Sequence, residues 1–477
     1  MTTPPVPLAS ARTRKFYIFT MVATAALGAF LYGYDGSIMG AANGQLVKYF
    51  NLTPGGLGFM MACGAMGAVF GPFVGSWFCD AIGREKTLII STLLLGIGSF
   101  MTAIPKDIVT FDTFRIVCGF GAGLGMLTIP MYIAEMAPAK MRGALGTTYQ
   151  LAIVVGSVAA PLAALPLLKM FPDPSVSWRW MFGSQLVIVP VLFGLLFILP
   201  PSPRWLAEKG RFEDCLRVLV KVHGPEVASL ELAEIKQSLR EEVGGFRELL
   251  QPGIRYALFI GFCLAFFNNW TGWSAMGGYI TNLVKLSGVA ALDDQIRQYA
   301  CTYGAMAIIT VVSMFLIDRV GRRPLWIFAA SLMAIITMAT GFVFHLHLHG
   351  WPVLLVLVLC TVPHGIALGG LPWLMMSELF PNRVRAKAVA TTTTFLLLVI
   401  YTCAQFFPIL LDLSQRTIGS AAGAFWVFTL VDIGAVWFGV KLMPETKGRS
   451  LEDIAHSMRS REASRATVPA PILPEVK

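Results

Sequence analysis

A chain of 477 residues that is 56% apolar and only 13% charged, with a mean hydropathy of +0.68, lacks the polar groups to cover its own surface in water. That composition excludes a disordered chain, a nucleic-acid-binding domain and an ordinary soluble enzyme. The net charge of +10 points to a membrane instead, because of where the basic residues fall.

The first eleven residues are Pro-rich and polar, and Arg12, Arg14 and Lys15 precede an apolar run from Phe16 to about Ala42. The run is too long for a secretory signal core and no small-residue cleavage site follows it, so it is predicted as a membrane span. Crossing the hydrocarbon takes about 20 apolar residues. Twelve stretches qualify, centred near residues 29, 66, 95, 121, 156, 190, 268, 307, 334, 364, 398 and 432. The eight cysteines lie mostly inside these runs without a C-x-x-C pair or metal-ligand spacing, and read as small apolar core residues. The sixth and seventh spans are separated by a polar segment with nine Lys/Arg and nine Asp/Glu, including helix-like text from Ser229 to Glu242.

The predicted fold is an all-α membrane protein of twelve transmembrane helices in two six-helix halves. Its layout is a tail over 1–15, a first half over 16–200, a helical linker over 201–255, a second half over 256–443 and a second tail over 444–477. With the N-terminus inside, the outer loops hold Lys48, Lys106, Lys169, Arg179, Lys285, Arg297 and Arg416, and twenty-nine of the other basic residues fall on the inner side. That asymmetry predicts a multi-pass protein of the plasma membrane with both termini cytoplasmic.

Three polar signatures occur twice, in the same order and on the same side. Asp80-x-x-Gly83-Arg84 after the second span returns as Asp318-Arg319-x-Gly321-Arg322-Arg323 after the eighth, 238 residues on. Glu135-x-x-Pro138-x-x-x-Arg142 after the fourth returns as Glu378-x-x-Pro381-x-x-x-Arg385 after the tenth, and Pro201-Ser-Pro-Arg204 returns as Pro444-Glu-Thr-Lys447, each 243 residues later. The chain is therefore predicted to be two homologous halves of the same orientation, related by an axis along the membrane normal. Topology alone calls for Lys and Arg, not for acids at fixed offsets. Arg84, Glu135 and Arg142 in one half, and Arg322, Glu378 and Arg385 in the other, are expected to pair across the cytoplasmic ends as an inner gate. Each pair should be worth on the order of 1 kcal/mol.

These duplicated signatures resemble the major facilitator superfamily, and within it the sugar porter family. Pro203-Arg204-Trp205-Leu206 resembles that family's P-E-S-P-R-W-L, with Pro201 where a Glu is usual, and Pro444-Glu445-Thr446-Lys447-Gly448 matches its closing P-E-T-K-G. Arg115 to Gln150 resembles the family almost throughout, and the likeness runs from about Phe16 to Ile454.

Ionisable groups within spans are expensive and so are functional candidates. Asp35 on the first span and Arg115 on the fourth lie roughly 12 Å and 10 Å below the outer helix ends at 1.5 Å per residue, so the two can meet. A static pair that orients helices is one role. Proton coupling is the other: Arg keeps its charge, so the acid is the group that titrates when its partner is drawn away. The resemblance implies symport, since proton-coupled members carry an Asp here and passive ones a neutral residue.

For the substrate, the resemblance singles out Gln150 on the fifth span, Asn268 and Asn269 on the seventh (where the family has Q-Q), Ser274, Tyr279, and Trp373 on the tenth. Amides suit sugar hydroxyls and an indole suits the C–H face; an amide that merely joins helices is the alternative for Gln150. Gly278, Met306 and the Leu396-Leu397 pair stand where the family has polar or aromatic residues, so the second half offers fewer amides. The expected function is proton-coupled uptake of a hexose or pentose by alternating access. A passive facilitator, a polyol, cyclitol or hydroxylated-acid carrier and a transporter-like sensor are the alternatives. No catalytic set, P-loop or metal site is read. No cofactor is called for beyond the proton gradient as energy source. The partners are a sugar or polyol, protons and the lipid bilayer, with no nucleic acid, and the carrier is expected to work as a monomer. Asp432 has no assigned partner, and His345, His347 and His349 read as solvated loop residues, with a metal site as the alternative.

Overall fold

The computed structural model describes residues 11–136, 142–240 and 245–447. Eleven of its helices are long and apolar enough to cross a membrane. The first half comprises α1 (Ala11–Phe50), α2 (Pro54–Ile82), α3 (Arg84–Ala103), α4 (Ile108–Met136), α5 (Arg142–Met170) and a sixth span built from α6 (Pro174–Gly183) and α7 (Ile188–Leu196). Three short helices follow: α8 (Pro203–Glu208), α9 (Phe212–Val222) and α10 (Pro225–Arg240). The second half begins with a broken seventh span, α11 (Ile254–Trp270), α12 (Trp273–Gly278) and α13 (Ile280–Leu286). It continues through α14 (Leu292–Val320), α15 (Arg322–His345), the tenth span as α16 (Trp351–Pro363) and α17 (Leu371–Glu378), α18 (Asn382–Ile418) and α19 (Ala422–Lys441). The predicted seventh span is thus interrupted: Gly272 takes φ +97°, a conformation open to glycine, and turns the chain between α11 and α12. The tenth span widens into a π-type turn over His364–Leu368.

Glycines bring the spans of the first half into backbone contact. A Cβ on Gly33 would stand 1.8 Å from the Ile153 carbonyl and one on Gly156 2.0 Å from that of Phe30, so α1 and α5 touch main chain to main chain. The α2–α4 seam does the same through Gly67 and Gly119. Small residues let membrane helices approach closely where no hydrophobic force distinguishes protein from lipid. Large apolar side chains such as Phe70, Trp77, Phe197, Phe315 and Trp437 point outward from the bundle. In water such a surface would aggregate; around a multi-pass bundle it faces acyl chains.

The duplication is visible in the backbone. Gly83, between α2 and α3, has φ +97° and ψ 161°; Gly321, between α14 and α15, has φ +101° and ψ 162°. Both copies of the first signature therefore make the same glycine corner.

The polar segment after the sixth span is docked, not free. Cys215, Val218, Leu219 and Val222 of α9 are buried in one core with Met21, Leu88 and Met136 of the first half. Trp205 Nε1 donates to the Asp80 carbonyl at 3.1 Å, and His223 Nε2 lies 3.0 Å from the Met136 carbonyl. The end of the bundle that carries these helices is called the linker face below, and the opposite end the far face.

Candidate functional site

Asp35 and Arg115 meet. Arg115 Nη1 donates to Asp35 Oδ1 at 2.7 Å, and the residues are 7% and 5% exposed. The Cys118 thiol, one helical turn along α4 from Arg115, lies 3.7 Å from the same carboxylate oxygen. The guanidinium carbon sits 5.7 Å from the centroid of the Phe182 ring, and Nε is buried without a partner among the described residues. A charge pair this deeply buried holds together by mutual attraction, and removing one member strands the other. One turn toward the far face on α4, Asp112 accepts from the Cys63 thiol at 3.8 Å. Asp112 is a second acid of this region. Sequence reasoning missed it because it lies in the first turns of its helix, where an acid is unremarked.

The substrate candidates divide into two sets. Gln150 and Trp373 are half-buried and make no side-chain hydrogen bond among the described residues. The others are occupied. Asn268 Nδ2 donates to the carbonyls of Leu368 (2.7 Å) and Gly369 (3.0 Å), which ties α11 to the widened turn after α16. Asn269 donates to Asn268 Oδ1 at 3.1 Å and accepts from Ser274 Oγ at 2.7 Å, across the α11–α12 break. The Tyr279 hydroxyl donates to the Ala404 carbonyl at 2.8 Å. In this conformation those four residues shape the interrupted helices, while Gln150 and Trp373 keep their polar groups free. Leu396 and Leu397 are buried core residues.

The two halves are hydrogen-bonded to each other at the far face. The Tyr299 hydroxyl of α14 donates to the Ser37 carbonyl (3.1 Å) and lies 2.9 Å from Ser37 Oγ. Thr281 Oγ1 donates to the Gly40 carbonyl at 2.9 Å, Asn43 Nδ2 donates to the Gly278 carbonyl at 3.3 Å, and Gln405 Nε2 donates to that of Gly55 at 3.2 Å. Ser37 is two residues from Asp35, so this latch and the buried pair share one stretch of α1. A serine, a threonine, a tyrosine and two amides scattered over the chain carry no periodicity, and sequence reasoning did not find them.

At the linker face the expectation of pairing across the halves needs correcting. Arg84 Nη2 binds Glu135 Oε1 at 2.9 Å, and the second carboxylate oxygen accepts from Ser202. Arg322 Nη2 binds Glu378 Oε1 at 2.9 Å, and Thr446 Oγ1 donates to Glu378 Oε2 at 2.6 Å. Arg385 Nε donates to the Phe380 carbonyl at 3.2 Å, and the Arg142 side chain lies outside the described residues. The three duplicated signatures therefore converge on one cluster per half, and each described pair closes inside its own half. The reason is local: the glycine corner aims Arg84 or Arg322 back at the end of the fourth or tenth span, within reach of the acid there. Glu445 of the closing signature accepts from the backbone N–H groups of Arg322 (3.1 Å) and Arg323 (3.0 Å), capping α15. Burial pushes its carboxyl up, but backbone donors from Lys447, Arg322, Arg323 and Thr446 outweigh that and hold it below the usual range.

Asp432 is fully buried in α19, and Thr337 Oγ1 donates to its Oδ2 at 2.9 Å. The three loop histidines diverge: His349 Nδ1 lies 3.0 Å from the Ser287 carbonyl, the His345 ring stands 5.7 Å from that of Trp426, and His347 occupies a tight turn at φ +51°. No group of three His, Cys, Asp or Glu positioned for a metal occurs among the described residues.

Comparison with known proteins gives one consistent picture. The profile of a family described as sugar (and other) transporter matches residues 21–457. The arabinose-proton symporter of Bacillus subtilis is 34% identical over 457 residues, covering 94% of this chain and 97% of that protein. The D-xylose-proton symporter of Escherichia coli K12 is 30% identical over 471 residues, covering 92% and 95%. An inward-open structure of the Escherichia coli xylose transporter XylE superposes with a TM-score of 0.81 at 27% identity, over 92% of this chain and 100% of that one.

Proposed function

The chain belongs to the sugar transporter family, of the major facilitator fold, and from that premise we propose that it takes up a monosaccharide together with a proton by alternating access. The observation that carries the coupling is the buried Asp35–Arg115 pair at 2.7 Å. A carboxylate this far from solvent is poorly stabilised once it loses its cation, so separating the pair favours protonation of the acid. The proton-symporter relatives support the same reading. The family is one of transporters and not of enzymes.

The linker face is the cytoplasmic side of a plasma membrane, with both chain ends on it, in keeping with the basic residues gathered there. The far-face latch then closes the outer entrance, and this conformation opens inward. Sugar sits between the halves, with the Gln150 amide on its hydroxyls and the Trp373 indole on its C–H face. Asn268, Asn269, Ser274 and Tyr279 hold the broken seventh span in position and exchange their internal bonds for sugar contacts when the halves rock. Arg84, Glu135 and Arg142, with Arg322, Glu378 and Arg385, serve the inner gate by bracing each half as a unit. One carrier molecule suffices, because the sites lie within a single chain.

Reconstituted into proteoliposomes with an imposed inward proton gradient, the protein should accumulate a labelled aldopentose or aldohexose, and an uncoupler should reduce accumulation to equilibration. Equal uptake with and without the gradient would make it a facilitator, and no uptake of any sugar overturns the proposal.

The latch gives a second expected result. Tyr299→Phe combined with Thr281→Ala removes the hydrogen bonds between the halves that these two side chains make with Ser37, Gly40 and Asn43, each worth about 1 kcal/mol. Hydrogen–deuterium exchange should rise in residues 37–43 of α1 and in α12–α13, and fall at the linker face as the population shifts outward. Unchanged exchange at both faces would show that these bonds do not hold the entrance.

A further inference from the structure

We infer that Asp112 is the carboxylate onto which Arg115 moves when Asp35 takes up a proton, and so a positioning residue for the coupling; the inference rests on the proton-coupled reading above. Asp112 lies inside the fourth span, where an ionisable side chain is costly unless it has a task. It is half-buried, one helical turn from Arg115 toward the far face. Residues three apart on a helix are neighbours, with roughly 5–6 Å between their Cβ atoms. The task is not helix capping, because Asp107 already does that. Its Oδ1 accepts from the Thr110 N–H and its Oδ2 from the Thr110 hydroxyl, each at 2.8 Å.

One turn of α2 holds both side chains. The Cys63 thiol donates to Asp112 Oδ1 at 3.8 Å, and a Cβ on the next residue, Gly64, would stand 3.3 Å from Arg115 Nη2. The guanidinium therefore reaches from Asp35 on α1, through Nη1, to the α2 backbone, through Nη2. The Asp112 carboxylate lies against the adjacent residue of that backbone. Arg115 Nε, buried without a partner among the described residues, is a donor this arrangement leaves unused. The titratable and charged groups around the site are few. Asp112 is acted on by Arg115 of its own helix and by Cys63 of α2. Arg115 is acted on by Asp35 of α1, Cys118 of α4 and Cys63. The contributions of α3 and α6, Ser99 against the Cys118 thiol at 3.9 Å and the Phe182 ring, are neutral.

Two acids that share one guanidinium behave differently from a single pair. With Asp35 as the only acid, its protonation would leave Arg115 buried and uncompensated, the costly outcome for such a pair. An ionised carboxylate one turn away lowers that penalty. The proton binds an Asp35 carboxylate oxygen, the guanidinium keeps its charge and turns to Asp112, and the ion pair is exchanged instead of lost. One proton is gained, and the cation stays paired throughout. Release runs the same exchange in reverse: Arg115 returns to Asp35 as the proton leaves.

The test compares the parent, Asp112→Asn and Asp112→Glu as full chains in proteoliposomes. Uptake of a labelled aldopentose or aldohexose under an inward proton gradient is measured across a series of external pH values, and thermal stability in detergent is read for each protein. Asp112→Asn removes the second carboxylate, so Asp35 takes up its proton only at a higher proton concentration. Half-maximal driven uptake should move about one pH unit to the acid side, about a tenfold change in proton concentration. Asp112→Glu keeps a carboxylate and should stay close to the parent profile. A stable Asp112→Asn protein with the parent's profile, or with uptake lowered by the same factor at every pH, makes Asp112 a structural residue and overturns the inference; so does a shift to the alkaline side. If Asp112→Asn prevents folding, Asp112→Ser is read by the same criteria. A parent without gradient-driven uptake overturns the proposed function and this inference with it, whereas a driven parent with an unmoved Asp112→Asn profile removes this inference alone.

Discussion

Asp35→Asn should abolish uphill accumulation while leaving counterflow of substrate intact. The exchange keeps the shape of the side chain and a hydrogen bond to Arg115, but removes the site where a proton binds. A membrane potential of about 100 mV is worth about 2.3 kcal/mol per translocated charge, about a 50-fold concentration ratio for the sugar. The variant should lose all of that ratio, whereas exchange of labelled for unlabelled sugar needs no net proton movement. Arg115→Ala tests something different. It leaves the buried Asp35 carboxylate without its cation, at a cost of about 3–5 kcal/mol, and should yield little folded protein. Retained uphill uptake by Asp35→Asn would reduce the pair at 2.7 Å to a device that orients α1 and α4.

Gly119→Leu should abolish folding outright. A Cβ at Gly119 would stand 1.8 Å from the Gly64 carbonyl oxygen and 2.9 Å from its Cα, so the obstacle is backbone and cannot swing aside. The α2–α4 seam would have to open along its length, and Gly67 beside it meets the Ile116 carbonyl at 2.0 Å in the same sense. Gly304 of α14 makes the control, because a Cβ there meets nothing within 4 Å. Gly304→Ala should be neutral or stabilising by up to about 1 kcal/mol, through reduced backbone entropy of the unfolded chain. Size-exclusion profiles in detergent read both outcomes, and a monodisperse Gly119→Leu sample would refute the close seam.

Much of this architecture was legible in the sequence, for identifiable reasons. Twelve apolar stretches and their polar intervals follow from the hydrocarbon thickness alone. The meeting of Asp35 with Arg115 followed from equal depths on neighbouring spans. The recurrence of Asp80–Arg84 as Asp318–Arg322 identified the duplication, and the matching corners at Gly83 and Gly321 display it in the backbone. Which partner each charged residue takes was not legible. Offsets fix the side of the membrane on which Glu135 and Arg84 lie, but a pairing within one half and one across the halves have the same spacing. The docking of the linker did carry a periodic signal: Cys215, Val218, Leu219 and Val222 repeat at helical intervals and mark the face of α9 that is buried.

The enclosure of each arginine–glutamate cluster within one half bears on how this carrier responds to ionic strength. Mobile ions weaken attractions between exposed charges and reach partly sheltered ones much less. Arg84 is 3% exposed, and its partner Glu135 travels with it when the halves rock. Opening the vestibule on that side therefore separates none of the described ion pairs, so the turnover of the carrier should be nearly indifferent to the salt content of the solution bathing the linker face.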